Sequence, residues 1–200
     1  MSAFRKGLLS TGVDVVNLGI LPTPANYFSM FLLEIDGAVQ ITGSHNPPEF
    51  NGFKLSLRRA AVYGESIQEI RKLIEAGDFE TGSGSERTVD ISEDYRQLLH
   101  DKIKLDRPLK IAMDCGNAAG CLFAQDVFEK MGGQLTKLYC DVDGRFPNHH
   151  PDPTVDKNLA DLIAVMKKGG HDIGFAFDGD ADRVGVVDNE GSIIRADIVM

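Results

Sequence analysis

The chain has 200 residues, 21 Lys and Arg against 30 Asp and Glu, a net charge of −9, and 42% apolar residues. This is ordinary globular composition, with room for one large domain or two small ones. The absence of a basic tract argues against nucleic-acid binding by counterion release, and no run approaches the roughly 20 apolar residues that span a membrane.

Taken in order, Phe4, Leu8 and Leu9 sit at helical spacing, with Gly12 as the stop. VDVVNLG (13–19) then reads as a buried strand. Residues 22–34 read as a loop and a helix started by Pro24. AVQIT (38–42) and FKLSL (53–57) read as strands. GSHNPPEFNG (43–52) between them carries two prolines, two asparagines and two glycines and is irregular. SIQEIRKLIEAG (66–77) is a helix with a Ser66–Glu69 capping box and an apolar face of Ile67, Ile70, Leu73 and Ile74. The polar stretch 78–88 is the expected linker. Ser92 caps a further helix that turns Tyr95, Leu98, Leu99 and Ile103 inward.

From there strand and helix alternate. LKIAMD (109–114) is a strand, followed by a helix to about Met131 stopped by Gly132-Gly133. QLTKLY (134–139), a long loop (140–156), a helix to about Lys168, and HDIGFAF (171–177) come next. A hairpin over 184–195 turns at Asn189–Gly191. The pattern predicts an α/β fold of two consecutive three-layer α/β/α domains, 1–89 and 90–200, with mixed, mostly parallel sheets. Ligands gather at the carboxyl ends of such strands, where both unusual loops lie. Cys115, Cys121 and Cys140 are odd in number and fit no zinc spacing, and read as reduced thiols of a cytoplasmic protein. The start, MSAFRKGLL, is too short and too interrupted for a signal peptide.

FDGDADRV (177–184) sets Asp178, Asp180 and Asp182 on alternate positions. An acidic turn is the bland explanation, but three carboxylates at this spacing point to a hard cation. The all-oxygen set excludes a preference for zinc or copper. An EF-hand is excluded because its sixth position is Arg183 and its twelfth Asn189. Mg²⁺ at a phosphate-handling site suits three carboxylates with room for phosphate oxygen and water. Arg183 would balance charge or hold a substrate oxygen.

TGSHNPPEFNGFK (42–54) packs Ser44, His45, Asn46 and Lys54 onto a loop stiffened by Pro47 and Pro48. One at a time they read as a turn serine and asparagine, a structural histidine and a solvated lysine. Together, on a rigid loop at a strand end, they point to a phosphate on Ser44 facing a cation, with His45 and Lys54 donating to phosphate or moving protons. No GxSxG elbow is present. His149 and His150 lie among prolines in the long loop. Adjacent histidines rarely ligate one ion, so both are left outside the site.

At these residues the chain resembles the α-D-phosphohexomutases. TGSHNPPEFNGFK is similar to their phosphoserine loop and DGDADRVG to their metal loop. PTP (22–24), MDCGNAAG (113–120) and FPNHHPDPTVDKNL (146–159) match in pattern and order. Gly43 before the serine and Phe53 before the lysine favour the bacterial phosphomannomutase/phosphoglucomutase group. The resemblance implies that Ser44 carries the transferred phosphoryl group. It also implies that Asp178, Asp180 and Asp182, with a phosphoserine oxygen of Ser44, hold Mg²⁺. Lys54 matches the family's general acid/base, and His45, Asn46 and Arg183 its phosphate-positioning residues. The implied reaction moves phosphate between C1 and C6 of mannose or glucose phosphate through a hexose 1,6-bisphosphate. The family has four domains and this chain matches two, the first N-terminally truncated. The chain alone is therefore expected to have little or no activity, and homo-oligomerisation through exposed surfaces is open. A non-catalytic domain binding Mg²⁺ or a phosphorylated ligand, or an aspartyl phosphatase, are the rival readings.

Overall fold

The alternation of apolar runs and turn residues becomes an alternation of strands and helices in the computed structural model, which describes residues 2–47 and 49–199. Pro48, expected to stiffen the serine loop, lies outside the described residues. Two compact units form. One contains the chain up to Ile20, Asn26–Ile41 and Phe53–Ile91. The other contains Leu21–Ala25, Thr42–Gly52 and the chain from Ser92 onward.

The first unit carries α1 (Ser2–Ser10), β1 (Val15–Asn17), most of α2 (Thr23–Leu32), the bulk of β2 (Gly37–Thr42) and β3 (Gly52–Leu57), then β4 (Ala60–Ala61), α3 (Glu65–Ala76) and β5 (Glu86–Thr88). β1 and β5 pair in parallel, and β2, β3 and β4 form a second sheet in that order. Several expectations change here. The strand expected over 13–19 shortens to three half-buried residues, with Val13 exposed. The last three residues of the expected linker are strand β5, because they find the open edge of β1. The Ser66–Glu69 capping box does not form. Gly64 adopts φ 57, so the chain enters α3 earlier, at Glu65, with no side-chain cap. Gly77 ends the helix in the left-handed conformation as expected. The apolar face of α3 is not covered within this unit: Leu73 is 52% and Ile74 60% exposed.

The second unit contains α4 (Ser92–Lys102), β6 (Lys110–Asp114), α5 (Ala124–Lys130), β7 (Gln134–Leu138), α6 (Ala160–Lys167), β8 (Ile173–Phe177), β9 (Val184–Val187), β10 (Ile193–Ile194) and a short α7 (Ala196–Val199) that the sequence pattern does not announce. 3₁₀ turns at Ala119–Leu122 and Asp156–Leu159 precede α5 and α6. The strand order is β10-β9-β8-β6-β7. β6 pairs in parallel with β7 and β8, while β8–β9 and β9–β10 are antiparallel. β6 is buried on both faces along Ile111–Asp114, as a central parallel strand requires. On one face Leu162 and Met166 of α6 pack on Ala112, Ala176 and Val187. On the other, Phe128 of α5 packs on Ile111, Met113 and Phe175, its ring stacked on Phe175 at 5.4 Å. A side chain at Gly174 would come within 3.2 Å of Leu162 and Met166, so this glycine sets how closely α6 approaches the sheet. In α4, Tyr95, Leu98 and Leu99 are half-buried, but Ile103, just past its end and expected inward, is exposed. Among the described residues no helix is long and apolar enough to cross a membrane.

Leu162→Ala should cost about 2–5 kcal/mol of stability, because Leu162 is fully buried. Leu73→Ala on the exposed face of α3 should cost at most about 0.5 kcal/mol. Urea unfolding followed by circular dichroism separates the two, and equal losses would contradict the packing described.

Candidate phosphoryl-transfer and metal site

Two loops of the second unit build the site. The first follows β2. Gly43 and Asn46 close a turn (Asn46 N to Gly43 O, 2.8 Å), and Pro47 O accepts from Phe50 N at 2.9 Å. Ser44 occupies the left-handed region at φ 52, uncommon for a serine. Its amide is held by Thr42 Oγ1 at 2.8 Å. That twist turns the hydroxyl toward the second loop, and Ser44 Oγ donates to Asp178 Oδ2 at 3.0 Å.

The second loop joins β8 to β9. Asp178 is fully buried, and its two oxygens have different partners. Oδ1 accepts from the backbone N–H groups of Asp182 and Arg183, both at 3.0 Å, and so shapes the loop. Oδ2 faces Ser44 and the Arg183 guanidinium, 3.1 Å away. Ala181, at φ 56, makes the tight turn between the second and third aspartates. Burial first, then the Asp180 and Asp182 charges, push the Asp178 carboxyl above its ordinary range, while the Arg183 backbone N–H and the Ser44 hydroxyl pull it down. Asp180 is also buried and Asp182 exposed. One oxygen from each of the three lies within 4.8 Å of the others. Mutually repelling carboxylates at that separation, two of them out of water, are a donor set that fits a hard divalent cation.

Arg183 ties the two loops. Its Nη2 donates to Ser44 Oγ at 2.7 Å and to His45 Nδ1, and its Nε lies 3.7 Å from Asp182 Oδ1. His45 Nδ1 is also 3.2 Å from Ser44 Oγ. Ser44, His45, Asp178, Asp180, Asp182 and Arg183 thus come together within one unit. Asn46 is exposed on the serine loop. Lys54 is half-buried on β3 and belongs to the first unit.

Several supporting residues escaped sequence reasoning. Thr23, fully buried at the start of α2, clasps the second loop: its N–H donates to Asp180 O at 2.9 Å and its Oγ1 to Asp180 Oδ2 at 2.6 Å. The PTP motif flagged this segment without showing its target. Ala119 N donates to Gly179 O at 3.2 Å from the other side. His149 and His150, left outside the site in the sequence, are not bystanders. His150 Nε2 bonds the carbonyl of His45 and braces the serine loop. His149 Nε2 pairs with buried Asp114 at 2.9 Å, and that bond raises the imidazole's pKa. Gly179 has the strictest requirement. A Cβ there would lie 1.8 Å from the Ser44 carbonyl oxygen, so only glycine lets the loops meet.

Comparison with known proteins follows the same lines. The family model described as phosphoglucomutase/phosphomannomutase, alpha/beta/alpha domain I matches residues 1–81, and that of domain II matches residues 92–191. The phosphoglucomutase of Neisseria meningitidis serogroup B is 48% identical over 98% of this chain and 43% of its own length. The phosphomannomutase/phosphoglucomutase of Pseudomonas aeruginosa is 45% identical over 96% of this chain and 42% of its own. The crystal structure of a phosphoglucomutase/phosphomannomutase family protein from Burkholderia thailandensis superposes with a TM-score of 0.94 at 46% identity, covering 98% of this chain and 44% of that one. The chain therefore spans less than half the length of these relatives.

Gly179→Ala should destabilise the second unit by about 1–3 kcal/mol through overpacking and separate the loops. Gly144→Ala, which meets nothing within 4 Å, is the matched control. Thermal melts of both variants check this, and equal melting points would show that the loops are not in contact.

Proposed function

Because this chain belongs to the phosphoglucomutase/phosphomannomutase family, we propose that it is the phosphoryl-transfer part of a phosphohexomutase, an enzyme that moves phosphate between C1 and C6 of mannose or glucose phosphate. The observation that carries the proposal is the placement of Ser44 Oγ, 3.0 Å from Asp178 and 2.7 Å from the Arg183 guanidinium. Ser44, phosphorylated, gives its phosphoryl group to the free hydroxyl of a hexose monophosphate. The hexose 1,6-bisphosphate reorients and returns its other phosphate to Ser44. Arg183 and His45 neutralise and orient the transferring oxygens, and Asn46 adds an amide to phosphate binding. Lys54 is proposed as the general acid/base at the sugar hydroxyl. Asp178, Asp180 and Asp182 would hold Mg²⁺ with a phosphoserine oxygen; when bound, Mg²⁺ supplies Lewis-acid stabilisation of phosphoryl charge.

The remaining elements of the proposal follow from the same family. The chain divides into a domain 1 over 1–89 and a domain 2 over 90–200, supported by the model boundaries at 81 and 92. Alone it turns over little or no substrate, since it spans 43% of a mutase relative. A cytoplasmic location is supported by its three free cysteines. Homo-oligomerisation is supported by the exposed face of α3.

Incubation with a hexose 1,6-bisphosphate, then intact-mass analysis and peptide mapping, should find phosphate on Ser44 and none on Ser44→Ala. Lys54→Met should slow loss of that phosphate to a hexose monophosphate without weakening cation binding. Phosphate on Asp178 or Asp180 would replace the proposal with an aspartyl phosphatase. No phosphate at all would leave a binding module.

A further inference from the structure

All three cysteines converge on one place, the carboxyl end of β6 beside the loop after β7. Cys115 and Cys140 Sγ atoms lie 3.3 Å apart. Their backbones run side by side, since Cys115 N donates to Leu138 O at 3.1 Å. Cys115 is fully buried, whereas Cys140 is half-buried. Both belong to the cluster formed with Ile111 and Met113. Neither is used by the phosphoryl-transfer chemistry. Cys121 is close by as well: it hydrogen-bonds with Cys115, and its sulfur donates to Tyr139 O at 3.5 Å.

We propose that Cys115 and Cys140 form an oxidisable dithiol that a hydroperoxide closes into an internal disulfide. A disulfide needs its sulfurs at about 2.05 Å, so the pair must draw together by only roughly 1 Å. Cys140 follows β7 at the start of the next loop, so closing the bond asks for a shift of that loop. Cys140, the less buried of the two, is the one suited to react first. Hydrogen bonding with Cys115 lowers the Cys140 pKa against the opposing pull of burial and the Asp114 charge. Buried Cys115, whose pKa is raised by hydrogen bonding with Cys121 and Cys140, stays protonated as the resolving thiol.

The chemistry balances in two steps. The Cys140 thiolate attacks the peroxide, an S–O bond forms, the O–O bond breaks, and the departing oxygen leaves protonated as water or an alcohol. The Cys115 sulfur then attacks the sulfenic sulfur; the S–S bond forms, the S–O bond breaks, and the Cys115 proton leaves with hydroxide as water. Two thiols are oxidised by two electrons and one peroxide is reduced.

The pair also lies next to the site's supports. Asp114 precedes Cys115 and holds His149, and the following residue, His150, bonds the His45 carbonyl. The inference does not depend on the mutase reading, and its test needs no substrate. The chain is treated with hydrogen peroxide, quenched, denatured and alkylated. The reactive thiols should fall from three to one, and the peptide map should show a Cys115–Cys140 link within one chain that dithiothreitol reverses. Cys121→Ser should keep the link and Cys140→Ser abolish it; if either variant misfolds, the wild-type map decides alone. Three thiols still reactive, a link through Cys121, links only between chains, or oxidation stopping at a sulfinic acid would each overturn the proposal.

Discussion

The two loops of the second unit answer to one electrostatic constraint: three carboxylates are held within 4.8 Å of one another, two of them out of water. Like charges at that separation are tolerated only where hydrogen-bond donors and positive charge are supplied locally. The fold supplies both. Backbone amides of Asp182 and Arg183 take one oxygen of Asp178, Thr23 takes one of Asp180, and the Arg183 guanidinium spans Asp178, Ser44 and His45. Arg183 contributes a single positive charge against three negative ones. The remaining imbalance leaves the cluster short of positive charge, a donor set that could hold a metal ion.

The serine loop is held there by residues with no chemistry of their own. Gly179 removes the one Cβ that would collide with Ser44, while His150 holds the loop's backbone from the other side. Behind them, β6 is buried on both faces and delivers Asp114 to His149. Core packing and site geometry therefore meet at the carboxyl ends of β6 and β8, as expected of a sheet with parallel strands.

Much of this was legible in the sequence. The βα alternation after residue 109 predicted the strands and helices of the second unit, because their apolar runs are long and their stops are glycines. Alternate aspartates on one loop, and a serine among prolines and glycine on another, marked the two loops that the structure brings together. Less legible were features set by contacts distant in sequence. Thr23 reads as a helix-start residue until its partner Asp180 is known, and His149 and His150 read as loop residues until Asp114 and the His45 carbonyl come into range. The first unit departed most from its pattern. The capping box lost to a glycine that could adopt positive φ, and a polar stretch became β5 because β1 offered a free edge. The first outcome turned on a glycine's backbone freedom, the second on a strand edge distant in sequence.

The central claim is that the Asp loop and the serine loop form one cation centre. Crystals of the chain soaked in Mn²⁺, an anomalous scatterer with the oxygen preference of Mg²⁺, test it most directly. The account predicts an anomalous peak bounded by Asp178, Asp180 and Asp182 with the Ser44 oxygen facing it. That peak should be absent in Asp180→Asn. A chain that holds no ion there, or holds one while Ser44 lies turned away from the aspartates, would contradict it.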